Sequence, residues 1–130
     1  MVNPIVEILA FLNSQTSLTT LTTQFHGGLT YPPKEYIPGD RAIVFNTRGG
    51  NLSYDSTLLI ESFGFKCYGA NEVQAYELGQ TLIVALHDKH WGKISSAQVQ
   101  ATGVPTQEPE VSWWYSTVYF LLQFKSGLGA

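Results

Sequence analysis

His87 and His90 stand three apart in the run His87-Asp88-Lys89-His90, a spacing that can turn two imidazoles toward one metal ion. A zinc site needs three or four ligands converging at about 2.0–2.3 Å. The nearest further ligand type is Cys67, which precedes the opposite end of the same candidate helix. Cationic side chains at a helix C-terminus are ordinary partners of its dipole, so no metal site is expected. Cys67 beside a histidine could form a nucleophile pair. Flanked by β-rich residues, however, it reads as a small core hydrophobe. Arg48-Gly49-Gly50 offers amides and a guanidinium to a phosphate, but the lysine and following helix of a nucleotide loop are missing. It reads as a hairpin tip. His26-Gly27-Gly28 has the look of an oxyanion loop, yet no G-x-S-x-G follows. Glu108 and Glu110, either side of Pro109, read as solvated loop charges. No catalytic set and no cofactor site emerges, and the chain reads as a non-enzyme.

The elements that would position these residues centre on residues 56–88. Residues 56–68 (STLLIESFGFKCY) predict a long strand, with Leu59, Phe63, Phe65 and Cys67 on one side and Leu58, Ile60, Gly64 and Tyr68 on the other. Gly64 in mid-strand marks a bulge or a close backbone approach. After a turn at Gly69-Ala70, residues 71–88 predict a helix capped by Asn71, with Gln74 placed to reach back. Ala75, Leu78, Leu82, Ala85 and Leu86 form its apolar stripe. Gly92 is a candidate left-handed cap.

Upstream, Asn3 caps a first helix with Pro4 at its first position, and Ile5, Ile8, Leu9 and Leu12 share a side until about Asn13-Ser14. Residues 17–23 allow a short turn of helix. Residues 25–40 are dense in Gly and Pro and predict an irregular connection, whose Tyr31, Tyr36 and Ile37 lie against something apolar. Residues 41–46 predict a short strand and 47–55 a turn or flexible tip. Residues 93–102 predict a mostly polar strand near an edge, 103–110 a loop, and 111–125 a final, strongly apolar strand. The expected fold is one α+β domain over residues 1–130, of order α-β-β-α-β-β, with residues 1–2 and 126–130 as loose ends. Its core is a mostly antiparallel four-stranded sheet with two helices packed on one face.

Composition narrows the partners. Seven Lys and Arg against ten Asp and Glu give a net charge of −3, which argues against a nucleic-acid clamp. A single cysteine points to no internal disulfide and a reducing compartment. Residues 1–12 lack a basic start and carry Glu7, so no secretory leader is read, and no apolar run is long enough to cross a bilayer.

The last strand is apolar on both sides. Trp113, Tyr115, Tyr119 and Leu121 alternate with Trp114, Val118, Phe120, Leu122 and Phe124. Strands of that kind belong to sheets covered on both faces. Four strands at about 4.8 Å make a sheet roughly 20 Å across, and two helices of about 10 Å cover that width once. Either residues 25–40 or a second chain must cover the other face. Where a second chain supplies the cover, subunit contacts are expected at Trp113, Trp114, Tyr115 and Tyr119, and at the 47–55 tip through Arg48 and Tyr54.

The chain as a whole resembles the tail terminator (tail completion) proteins of long-tailed bacteriophages. The resemblance is carried by NPIVEILAFL at the start, the connection LTYPPKEYIPGD, the strand RAIVFN, an RGG turn, and FKCYG running into ANEVQAYELGQTLIVALHD. A polar strand, a Pro/Glu loop and an aromatic strand complete it. It implies a homo-oligomeric ring, hexameric, that caps the tail tube at the neck of the virion after assembly in the host cytoplasm. Such a ring ends tube polymerisation and meets the head-side connector, and DNA passes through its lumen without sequence-specific binding. No membrane and no catalytic residue is implied. The alternatives are a head-closure or head–tail adaptor ring and, from another class, a small-ligand-binding α+β domain with residues 25–40 as a lid.

Overall fold

The computed structural model describes residues 2–29, 32–34, 36–37, 40–52, 57–108 and 113–126. Helix α1 spans Pro4–Ser14 and buries Ile8, Phe11 and Leu12, with the Asn3 side chain accepting from the Val6 amide at 3.4 Å. Helix α2, Thr16–Thr19, is a single turn that buries Leu18. Strand β1, Phe25–Gly27, precedes the long strands β2, Ala42–Leu52, and β3, Leu58–Gly69. Helix α3, Glu72–Leu86, buries Ala75, Leu78, Leu82, Ala85 and Leu86, the stripe read from spacing, and Gly79 besides. At its start Asn71 Oδ1 accepts from the Gln74 amide at 2.9 Å. Gln74 Oε1 in turn accepts from the Ala70 amide at 3.1 Å, one residue further back than an ordinary capping box. Strands β4, Ile94–Thr102, β5, Thr106–Gln107, and β6, Trp114–Lys125, complete the chain.

This corrects the expected four-stranded, two-helix order. Among the described residues the sheet has six strands in the order β1-β2-β3-β6-β4, with β5 also pairing β6, and there are three helices. Three strand segments escaped the pattern because a neighbouring strand, rather than their own side chains, specifies them. β1 lies in the segment read as irregular and docks parallel to β2 through Phe25↔Ile43 to Gly27↔Phe45. β5 lies in the segment read as a loop and pairs with Tyr115 and Trp114. β2 runs six residues past its expected end, through Arg48-Gly49-Gly50, as far as Leu52. A register shift between Thr47 and Gly49, with Gly49 at φ +106°, lets the strand continue across the glycines. The Arg-Gly-Gly stretch is therefore a bulge inside a strand, not a hairpin tip. Of the expected 47–55 tip, residues 53–55 lie outside the described residues.

α3 also ends earlier than expected, at Leu86 with His87 as its cap. The left-handed residue that turns the chain there is Asp88, at φ +62°. Gly92 is left-handed too, but it sits in the tight turn closed by the Trp91↔Ile94 bridge.

The helices share one core with one face of the sheet. Phe45, Phe63, Phe65, Phe120, Phe124 and Cys67 from the strands meet Phe11, Leu12, Leu18, Leu78 and Leu82 from the helices. The phenylalanines interlock, with Phe65 stacked on Phe45 at 5.3 Å and edge-on to Phe120 at 5.7 Å. Strand alternation sends Leu58, Ile60, Gly64, Lys66 and Tyr68 of β3, and Tyr115, Thr117, Tyr119 and Leu121 of β6, to the opposite face. No helix covers that face among the described residues.

Candidate functional site

The uncovered sheet face carries the features most suited to binding. At its centre Gly64 lies between Asn46 of β2 and Tyr119 of β6. A side chain at Gly64 would meet the Tyr119 ring at 3.2 Å and Arg48 Cδ at 3.7 Å. The glycine thus lets the tyrosine lie across the sheet, which is the close approach its mid-strand position implied. The Arg48 guanidinium stands over the Tyr119 ring, Cζ 4.3 Å from the centroid. Lys66 Nζ stands over Tyr115 at 4.9 Å and is 3.8 Å from Glu108 Oε1. Asn46, Thr47, Arg48, Gly64, Lys66, Thr117 and Tyr119 line a shallow depression of about 260 Å³, with no carboxylate in its wall among the described residues.

One end of this face is closed by the chain itself. Tyr36, from the connection after β1, is buried against Tyr68 (5.9 Å) and Trp113 (5.0 Å, edge-on), and its hydroxyl donates to the Asp40 carbonyl. With Ala42 and Val44 these rings make a second, smaller core, against which Tyr115 packs. Of the other connection residues expected to lie against apolar surface, Ile37 is exposed, and Tyr31 lies outside the described residues.

Of the six residues expected at subunit contacts, Arg48, Tyr115, Tyr119 and Trp113 come together here. Trp114 does not, since alternation along β6 places it on the helix-bearing side with Ser116 and Val118. Tyr54 lies outside the described residues. The expected surplus of bare rings is smaller than alternation implied. Trp113, Trp114, Tyr115 and Tyr119 are all partly covered within one chain, and on the open face Tyr36, Lys66 and Arg48 supply that cover. Lys66 and Thr117 were missed, although Lys66 sits in the same alternation as Gly64 and Tyr68.

The larger uncovered apolar surface is on the back of the molecule. Along α3, Val73, Tyr76 and Val84 are 68%, 50% and 77% exposed. They fall on its outward side beside Glu72, Glu77 and Gln80. Glu77 lies 3.9 Å from Arg41 and remains half exposed.

Several of the residues whose types first pointed to chemistry have structural roles, and Glu110 lies outside the described residues. Cys67 is fully buried in the main core, and burial pushes its thiol well above the ordinary range, so a thiolate is disfavoured. His87 Nδ1 accepts the Val99 amide at 3.1 Å, and its Nε2 lies 3.4 Å from Asp88. Gly27 has no room for a side chain, because Ile5 and the Phe45 ring occupy the space. Among the described residues no three metal-ligating side chains gather, and no helix is long and apolar enough to cross a membrane. Neither a protein-family model nor a curated protein matches this chain.

Proposed function

We propose that this chain is a structural virion protein of a long-tailed bacteriophage, a tail terminator whose copies form a hexameric ring at the neck. The ring caps the tail tube, ends its polymerisation, and joins the tail to the head-side connector. The DNA passes through its lumen without sequence-specific contact. The sequence resemblance described above is the source of this reading. The structural observation that supports it best is the one-sided sheet, with helices on one face and, on the other, a cation–aromatic surface around Arg48–Tyr119 and Lys66–Tyr115 that the chain only partly covers. A face of this kind suits a repeated protein–protein contact, where aromatic residues and arginine are favoured. The net charge of −3 per copy suits a lumen through which a polyanion slides.

The small-ligand reading used the connection after β1 as a lid. Tyr36 of that connection packs directly onto Tyr68 and Trp113, which fills the space a ligand would need there. The test is assembly on tail tubes. Added to growing tubes, the chain is expected to arrest elongation and to remain at one end. Tubes that lengthen unchanged in its presence would refute the reading.

A further inference from the structure

We infer that copies of this chain join face to back: the open sheet face of one copy receives the outward side of α3 of the next. The inference rests on the ring reading above and names the two surfaces that meet. Among the described residues the open face gathers Arg48, Lys66 and Lys125, with Glu108 3.8 Å from Lys66, an excess of cations in a chain whose net charge is −3. Helix α3 carries Glu72 and Glu77 and no lysine or arginine, and only Glu77 has a cation near it, Arg41 at 3.9 Å among the described residues. Its outward side also presents Val73, Tyr76 and Val84, the most exposed apolar side chains on any one element of the described structure. The open face offers matching apolar surface in Leu58, Ile60 and Leu121, all partly exposed. Opposite charges and complementary apolar area thus sit on opposite sides of one molecule. Two different surfaces that fit each other make a heterologous contact, which closes into a ring when the rotation between copies closes. The Arg48 guanidinium is held over Tyr119, so its fork of donors is fixed in place for a carboxylate from the neighbour.

A charge-swap experiment on the whole chain tests this. One variant carries Arg48→Glu and Lys66→Glu, the other Glu72→Lys and Glu77→Lys. Each alone presents like charges at every contact and is expected to run at the monomer mass of 14.4 kDa in light scattering. An equimolar mixture restores opposite charges at every contact and is expected to recover the wild-type assembly, with the two variants alternating. Circular dichroism checks that each variant is folded. Val84→Asp, at a side chain 77% exposed, leaves the fold alone and is expected to raise the association midpoint about tenfold. An unchanged midpoint for that variant, or a mixture that stays monomeric, would overturn the inference. Rings that persist in both charge variants would overturn it while leaving the ring reading intact. A wild-type chain that stays monomeric with and without tail tubes would overturn both.

Discussion

Replacing Tyr36 separates what the chain covers by itself from what it leaves for a neighbour. Tyr36 is 5% exposed, touches the rings of Tyr68 and Trp113, and hydrogen-bonds the Asp40 carbonyl. Removing a buried aromatic ring costs about 3–5 kcal/mol, a large share of the roughly 5–15 kcal/mol that holds a domain of this size together. Tyr36→Phe loses only the hydroxyl bond, about 1 kcal/mol. Tyr119→Ala removes a half-buried ring whose contact with Arg48 is worth about 0.5–1 kcal/mol at an exposed site. The expected order of destabilisation is therefore Tyr36→Ala, then Tyr36→Phe and Tyr119→Ala close together. Urea unfolding followed by the fluorescence of Trp91, Trp113 and Trp114 reads this directly. With a slope of about 2 kcal/mol/M, Tyr36→Ala lowers the midpoint by about 1.5–2.5 M. Assembly should rank the other way, with Tyr119→Ala reducing it while leaving the monomer folded. If Tyr36→Ala costs less than about 1 kcal/mol, the connection after β1 does not close that end of the sheet, and the division between covered and uncovered surface fails.

Two further predictions concern the scaffold. Cys67 should resist thiol reagents until the chain unfolds. Because its folded thiol titrates far above the unfolded value of about 8.5, the unfolded state loses its proton first. Stability should thus be intact below pH 8.5 and fall by at most about 1.4 kcal/mol per pH unit above it. A Cys67→Ala chain that shows the same alkaline slope would contradict this. Asn71→Ala should cost about 1 kcal/mol by freeing the Gln74 amide at the start of α3, measured as a lower urea midpoint with an unchanged slope.

The parts of the fold that declare themselves in side-chain pattern were legible. The stripe of α3, the Ile8 and Leu12 positions of α1, the Asn3 and Asn71 caps, and the alternation of Phe63, Phe65 and Cys67 against Gly64 and Tyr68 all follow from spacing and are present, while the buried Phe11 was not read and Ile5 and Leu9 are only partly buried. What stayed hidden was structure imposed by a neighbour. β3 and β6 pair along twelve residues each; β3 carries the glycines of β2, β6 carries two residues of β5, and β2 in turn carries three residues of β1, so these segments become strand through backbone bonds. None of these carries an alternating pattern of its own. The open sheet face was half legible for the same reason. Tyr119 and Arg48 stood out by type, but their meeting depends on a bulge in β2 and a missing side chain at Gly64 on the adjacent strand β3. Trp114 was grouped with Trp113 because both are large and apolar, although neighbours along a strand face opposite ways.

Electron microscopy of the negatively stained chain, alone and mixed with tail tubes, puts the ring reading to its most direct test. The expected images are closed rings of six copies with an open centre, seated singly at tube ends. Isolated 14.4 kDa particles in both samples, with bare tube ends, would contradict it.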